Sequence, residues 1–170
     1  DDEYTFSAVD LPVRPREEKL IRRVDQVFIS SSALMQKKGH LNLQTARIPN
    51  GVSIHEFTTP KDEPDDMVNI PHPRIGYVGI IKRQLNVDVL LEVAKQHSEY
   101  SFVFVGPKRP DLRSDGEKWG KLESLSNTYF LGGKPVSELP AYTQHMDACM
   151  LCYSINDYTK YIYPLKLHEY

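Results

Sequence analysis

The sequence predicts an α/β fold in which helices cover both faces of a parallel sheet. Segments typical of strands and of helices alternate along the chain, as in parallel strands joined by right-handed crossovers. Four consecutive apolar residues, Phe102 to Val105, are typical of a strand buried on both faces. Glycines follow three predicted strands, at Gly79, Gly106 and Gly132. Because parallel strands end at one edge of a sheet, we expect a ligand site there.

Composition allows a globular core and excludes several classes of partner. The 170 residues suit one domain with part of another, and 40% are hydrophobic against 26% charged. A net charge of -2 and a pI near 6.3 do not favour a nucleic-acid partner. The sequence has no apolar run long enough to cross a membrane. Cys149 and Cys152 lie in an apolar stretch, so we interpret them as buried thiols in a reducing compartment, not as zinc ligands.

The first 57 residues predict the end of one domain. Leu20, Ile21 and Val24 recur at helical spacing, and Ser31 or Ser32 can cap a second helix. The predicted segments are a loop or short lid at 1–14, a helix at 15–25, a strand at 26–30, a helix ending at Lys37-Lys38-Gly39 and a strand at Arg47-Ile48.

Residues 58–73 are predicted to link this domain to a second one. The segment contains four prolines and a group of acidic residues, Asp62, Glu63, Asp65 and Asp66. We expect these charges to be solvated. The predicted organisation is therefore 1–57 for the end of the first domain and the hinge, 58–73 for the linker, and 74–170 for the second domain.

The second domain should contain the four-stranded parallel sheet. Trp119, Leu122 and Leu125 recur at helical spacing, so Trp119 is expected to pack against the sheet. Strands are predicted at 74–81, 100–105, 127–131 and 147–153, helices at 85–99, around Trp119 and from Pro140 through His145, and a polar loop at 108–116.

The last stretch, Pro164 to Tyr170, predicts a helix whose amino end suits a phosphate. Pro164 favours a first helical position, and the N–H groups that follow it have no partner within the helix. Lys166 adds a positive charge at that end. Glu169 lies about one turn deeper, where a carboxylate can accept hydrogen bonds from a ribose diol. The chain stops inside this predicted helix, so we interpret it as a fragment.

The sequence Pro-Leu-Lys-Leu-His-Glu-Tyr at 164–170 resembles the donor-binding helix of retaining GT-B glycosyltransferases of the glycosyl transferases group 1 type. A Ser-Ser-x-Leu helix, a strand, Pro-Asn-Gly-Val at 49–52 and Phe57 also resemble the end of the first domain of such enzymes. Many members have a second Glu eight residues before the first, where this chain has Tyr161. A subgroup similar to teichuronic-acid and capsule transferases lacks that Glu and has the Pro-Leu-Lys pattern.

This resemblance implies a Rossmann-like, truncated C-terminal domain that binds a nucleotide sugar, with no cofactor and no metal. Its catalytic groups are unknown and are expected in the missing part of the first domain. The implied site residues are Gly79, Lys82, Arg83, Pro164, Leu165 and Lys166 for the donor diphosphate, Glu169 for the ribose, Lys134, Pro135 and Val136 for the base, and Asn156, Thr159, Lys160 and Tyr161 for the donor sugar.

The implied activity is transfer of a hexose, with retention, from a nucleoside-diphosphate sugar to a glycan or lipid-linked acceptor in polysaccharide biosynthesis. The implied location is the cytoplasm or the inner face of the membrane, with any peripheral membrane contact made by the missing part. We expect the fragment alone to be inactive.

Three alternatives remain open at this stage. A non-catalytic module of the same fold could bind nucleotide or protein, and a nucleotide-sugar 2-epimerase would share the architecture. An NAD-dependent dehydrogenase lacks support, because Gly76 and Gly79 form only part of a G-x-G-x-x-G fingerprint.

Overall fold

The computed structural model describes residues 13–109 and 115–170, which form two compact units. The small unit consists of residues 13–51 and Ile155–Leu165, and the large unit of Val52–Ser154, apart from 110–114, and Lys166–Tyr170. Two predicted loops lie partly outside the described residues: residues 1–12 of the loop or lid predicted at 1–14, and residues 110–114 of the loop predicted at 108–116. The domain boundaries predicted at 57 and 73 stay a prediction.

The small unit contains two helices and a pair of parallel strands. Ser31 caps the second helix by accepting a hydrogen bond from the N–H of Leu34 at 3.0 Å. The first helix ends four residues earlier than predicted. The side-chain amide of Asn42 donates hydrogen bonds to the carbonyls of Ile21 and Val24 there, at 2.7 and 2.8 Å. The elements are α1 (Val13–Ile21), β1 (Val27–Ile29), α2 (Ser32–Lys38) and β2 (Thr45–Arg47).

The large unit is built on a four-stranded parallel sheet whose strands, counted along this unit, lie in the order third, second, first, fourth. This arrangement confirms the predicted fold class. Its elements are α3 (Ile54–Thr58), β3 (Arg74–Val78), α4 (Val87–Gln96), β4 (Ser101–Val105), α5 (Gly116–Glu123), β5 (Thr128–Gly132), α6 (Leu139–Gln144), β6 (Ala148–Cys149) and α7 (Lys166–Glu169).

Alternate residues of β4 pack into different cores on the two faces of the sheet. Phe102 and Phe104 lie with α4 and with Trp119 of α5, which therefore has the predicted packing role. Val103 and Val105 lie on the other face, in the cluster that includes Tyr142 of α6. All five residues of β4 are buried, as predicted for a strand covered on both sides.

The segment before β3 packs against the sheet, and two of its charges, which were predicted to be solvated, also form ion pairs. Met67 and Ile70 are buried in the second core. Glu63 pairs with the guanidinium of Arg74, and Asp66 binds the ammonium of Lys134. The acidic residues are spaced along the segment so that two of them meet cations supplied by distant parts of the unit.

The last strand, predicted at 147–153, is reduced to Ala148–Cys149. Beyond Met150 the chain pairs with the loop that follows β3: the N–H of Asn86 donates to the carbonyl of Cys152, and the N–H of Ser154 donates to the carbonyl of Gln84, both at 2.8 Å. The carbonyl of Cys152 and the N–H of Ser154 are therefore bonded to this loop and do not extend the pairing of β6 with β3. The prediction missed this exchange because it depends on a loop about 70 residues away in sequence.

Candidate functional site

Three glycines mark the carboxyl ends of β3, β4 and β5. Gly79, Gly106 and Gly132 have φ angles of 143°, 149° and 72°, a region that favours glycine. The N–H of Gly79 donates to the carbonyl of Val105 at 2.7 Å, and the N–H of Gly106 donates to that of Gly132 at 2.8 Å. The sheet therefore brings these residues to one edge, as the sequence pattern predicted.

Gly79 and Gly106 also pack too closely for a side chain. A Cβ atom on Gly106 would lie 2.0 Å from the carbonyl oxygen of Gly79, and one on Gly79 would lie 2.2 Å from Nζ of Lys166. The absence of side chains here leaves room for the ammonium of Lys166 directly above the end of β3. Two of the residues predicted for the diphosphate, Gly79 and Lys166, thus lie in contact.

Helix α7 starts two residues later than predicted. The segment was expected to be helical from Pro164, but the helix covers Lys166–Glu169, closed by a hydrogen bond of 3.0 Å from the N–H of Tyr170 to the carbonyl of Lys166. Pro164 therefore precedes the helix and is not its first residue. Pro164 and Leu165 belong to the small unit, whereas α7 belongs to the large unit.

The ammonium of Lys166 is partly buried without an anionic contact among the described residues. Its Nζ lies 5.4 Å from the centre of the Tyr77 ring. Burial lowers the pKa of Lys166, the carboxylate of Glu169 opposes that shift, and the positive charge of Lys82 adds to it. A desolvated cation beside a second cation is a suitable site for an anion.

The loop after β3 is held in place on both sides of Lys82 and Arg83. The N–H of Ile81 donates to the carbonyl of Pro107 at 2.9 Å, and Leu85 pairs with Tyr153 across an antiparallel bridge. Lys82 is half-buried and Arg83 is exposed. The electrostatic effect of Lys82 on Lys166 places Lys82 near that ammonium; which of the loop's two cations would contact a phosphate stays a prediction.

Glu169 is partly buried, and its carboxylate has no hydrogen-bond or ion-pair partner in the described part of the chain. Its charge opposes the lowering of the pKa of Lys166 and adds to the raised pKa values of Tyr77 and Tyr170. The carboxylate therefore lies in the same neighbourhood as Lys166, one helical turn along α7. Its predicted role toward a ribose stays a prediction.

The three residues predicted for the base lie just after β5. Lys134 extends its ammonium to Asp66 and lies 5.4 Å from the Tyr142 ring. Pro135 accepts a hydrogen bond from the N–H of Glu138, and Val136 is 80% exposed at the start of a short 3₁₀ helix. The side chain of Lys134 is thus engaged inside the protein, so any contact it makes with a base has to come from its backbone.

The residues predicted for the donor sugar all lie in the small unit, where their side chains bind each other. Asn156 accepts hydrogen bonds from the N–H groups of Tyr158 and Thr159 at 2.9 and 3.0 Å, and the hydroxyl of Thr159 accepts one from the N–H of Asn156. Lys160 pairs with Asp157. These contacts build the 3₁₀ turn at Thr159–Tyr161.

Tyr161, which stands where many relatives have a second Glu, is covered by cations. Its ring centre lies 4.3 Å from Nζ of Lys37 and 5.2 Å from Nζ of Lys160. A neutral tyrosine ring attracts these ammonium groups through the partial negative charge of its face.

Other kinds of site find no support among residues 13–109 and 115–170. No group of three or more His, Cys, Asp and Glu side chains is arranged to hold a metal ion there. Burial raises the pKa of Cys149 to about 11, and it also raises that of Cys152, so both cysteines are poor nucleophiles. Over the same residues, no helix has the length and apolar character of a membrane span.

Sequence reasoning missed the role of Tyr170. Its hydroxyl accepts a hydrogen bond from the N–H of Val78 at 3.0 Å and donates to the carbonyl of Val78 at 3.4 Å. Spacing offers one signal, since Lys166 and Tyr170 are four residues apart and so share a helix face.

Comparison with known proteins supports a specific family resemblance. No protein-family model matches the sequence. Over 165 residues the chain is 28% identical to TuaH of Bacillus subtilis (strain 168), whose name describes a glycosyltransferase of teichuronic acid biosynthesis. The alignment covers 93% of this chain and 41% of that protein, so the chain spans less than half of this relative.

Solved structures show the same fold. The crystal structure of Anabaena Alr3699/HepE in complex with UDP and glucose matches 79% of this chain and 40% of that chain, with a TM-score of 0.63 at 16% identity. A second structure of that protein, in complex with UDP, matches 76% of this chain and 38% of that chain, with a TM-score of 0.57 at 16% identity. The resemblance predicted from the sequence is therefore confirmed: the chain is similar, in sequence and in fold, to a segment of GT-B glycosyltransferases.

Proposed function

We propose that this chain is the donor-binding part of a glycosyltransferase that takes a sugar from a nucleoside-diphosphate sugar. The observation that carries the proposal is the ammonium of Lys166, which is desolvated above Gly79 at the carboxyl edge of the sheet with no anion in contact among the described residues. A diphosphate supplies the missing negative charge. The similarity to TuaH and to the UDP-bound Anabaena protein supports this choice of ligand.

Each predicted group has a distinct task in this proposal. Lys166 and the loop cations Lys82 and Arg83 bind the diphosphate, together with backbone N–H groups in the first turn of α7. Glu169 accepts hydrogen bonds from the ribose diol. The backbone of residues 134–136 lines the base, and Asn156, Thr159, Lys160 and Tyr161 keep their predicted role toward the donor sugar.

The chemistry of such a site is stabilisation of a leaving group. As the bond between the anomeric carbon and the diphosphate breaks, negative charge grows on the phosphate oxygens. Cations and N–H groups that are already in position lower the barrier because they need no reorganisation. We propose that the sugar passes, with retention and without a metal ion, to a hydroxyl of a glycan or of a lipid-linked acceptor in polysaccharide biosynthesis at the cytoplasmic face of the membrane.

Calorimetric titration of the full-length gene product with UDP and with GDP tests this function. We expect one of the two to bind, and Lys166→Met to weaken binding about tenfold or more, since a charge-assisted contact contributes roughly 1.5–3 kcal/mol. Glu169→Ala should weaken binding by a similar factor. Lys121→Met is the matched control, because Lys121 forms an exposed ion pair with Glu117 on α5.

Other outcomes would support the alternatives. Absence of binding to either nucleotide at millimolar concentration would favour a protein-interaction module. The presence of Tyr161, where many relatives have a second Glu, is the argument for that alternative. If incubation with a nucleoside-diphosphate sugar returned that compound with the configuration at C2 of the sugar inverted, the protein would be an epimerase.

A further inference from the structure

We infer that Tyr170 is a positioning residue for nucleotide binding, because its hydroxyl fixes α7 to the end of β3 and so holds the ammonium of Lys166 above Gly79. This inference rests on the proposed function, since it assigns to Tyr170 a part in the same diphosphate site.

The first argument is the pairing of β3. Along the edge that faces β6, the carbonyl of Arg74 accepts a bond from the N–H of Asp147, and the carbonyl of Gly76 accepts one from the N–H of Met150. Val78 is the next residue in this alternating series. At the level of Val78, the chain after β6 pairs with the loop after β3 instead of with β3 itself. The hydroxyl of Tyr170 therefore hydrogen-bonds with both the N–H and the carbonyl of Val78.

The second argument is the spacing along α7. Residues four apart lie on the same face of a helix, one turn from each other. When Tyr170 is fixed at Val78, Lys166 is directed toward the next residue of the chain, Gly79. The distance of 2.2 Å between Nζ of Lys166 and a Cβ position built on Gly79 shows how closely the ammonium follows that backbone.

The third argument is the shortness of α7. Helix α7 is a single turn of four residues, closed by the hydrogen bond from the N–H of Tyr170 to the carbonyl of Lys166. A single turn is not stable without tertiary contacts. The two bonds from the Tyr170 hydroxyl supply such a contact. The same hydroxyl is desolvated, and this burial raises the pKa of Tyr170, although 39% of the residue is exposed.

Tyr170→Phe in the full-length gene product tests the inference, because the variant loses only the hydroxyl. We expect affinity for UDP, or for GDP if that nucleotide binds better, to fall about fivefold, as for loss of one net hydrogen bond. In the Lys166→Met background the same substitution should have a smaller effect, of about twofold, because Glu169 and the backbone N–H groups are then the only ligand groups of α7 that it still positions. Tyr100→Phe is the matched control: Tyr100 lies before the amino end of β4, where its ring stacks on His97.

Amide hydrogen exchange provides a readout that does not need the ligand. The N–H of Val78 should exchange faster in Tyr170→Phe, while the amides of α5 stay unchanged. A fivefold loss of affinity in both backgrounds would overturn the inference, because Tyr170 would then act independently of Lys166. Unchanged affinity in Tyr170→Phe would also overturn it, even with faster exchange at Val78. A parent protein that binds neither nucleotide would instead reject the proposed function, and this inference with it.

Discussion

The positive charges at the two ends of β3 differ in how far hydrogen bonds and opposite charges compensate them. At the amino end, the guanidinium of Arg74 is buried and hydrogen-bonded: it donates to the carbonyls of Ile70 and Met67 at 2.9 and 2.8 Å and pairs with Glu63. At the carboxyl end, the ammonium of Lys166 is partly buried above Gly79 without an anionic contact among residues 13–109 and 115–170.

This contrast separates a charge used for stability from one available to a ligand. Burial of an ion is costly unless hydrogen bonds and an opposite charge compensate. Arg74 has that compensation and attaches the segment before β3 to the sheet. Among the described residues, Lys166 has only the nearby charge of Glu169, which it does not contact, so a bound anion would add the direct compensation that this ammonium lacks.

Removal of Arg74 should have the largest effect. Arg74→Met leaves the carbonyls of Ile70 and Met67 without their donors and removes the partner of Glu63, so we expect a loss of about 3 kcal/mol in the free energy of unfolding. Urea denaturation of the full-length gene product measures it. Lys121→Met, which breaks an exposed ion pair, should change stability by less than about 0.5 kcal/mol. If the free energy of unfolding fell equally in the two variants, the buried contacts of Arg74 at the amino end of β3 would not be important for stability.

Substitution at the other end should affect binding more than stability. Gly79→Ala places a methyl group where the ammonium of Lys166 lies and forces alanine to a φ of 143°. We expect nucleotide affinity to fall about tenfold and stability to fall by about 1–2 kcal/mol. Gly120→Ala is the matched control, since its added methyl group meets no atom within 4 Å inside α5, and it should stabilise the protein slightly. Full retention of affinity in Gly79→Ala would mean that the position of Lys166 is unimportant.

The smallest effect should come from Asp66, which ties the segment before β3 to the loop after β5. Burial alone would raise the pKa of Asp66, but hydrogen bonds from Lys134 and Tyr142 outweigh it, and the pKa is lowered. Its contribution is therefore present above the ordinary pKa of aspartate, near 3.9, and is lost as the pH falls through the lower value of the folded state.

Because this carboxylate is partly exposed, Asp66→Asn should cost less than about 1 kcal/mol at neutral pH. The difference from the parent protein should shrink in urea denaturation at about pH 3. A difference that grows toward acid pH would contradict this sign.

How far the sequence predicted the molecule depends on the range of the interactions involved. Most strands and helices of the large unit follow local patterns, and their predicted positions agree with the structure to within a few residues, although α3 was not predicted and β6 is shorter than predicted. The serine cap of α2, predicted at Ser31 or Ser32 and found at Ser31, and the packing role of Trp119 were predicted for the same reason. Contacts between residues far apart could not be read: the pairing of Asp66 with Lys134, the diversion of the chain after Met150, and the bonds from Tyr170 to Val78.

The sequence by itself determined that parallel strands end in glycines at one edge and that a lysine and a glutamate follow near the end of the chain. Those features depend on residue type and spacing, which act locally. The tertiary structure decided which charges are compensated, because compensation depends on what the fold brings within a few ångströms. Glu63 and Asp66 look like any solvated acidic residues in the sequence, yet they are paired. Lys166 looks like any surface lysine, yet the fold places it above Gly79 without an anionic contact among the described residues.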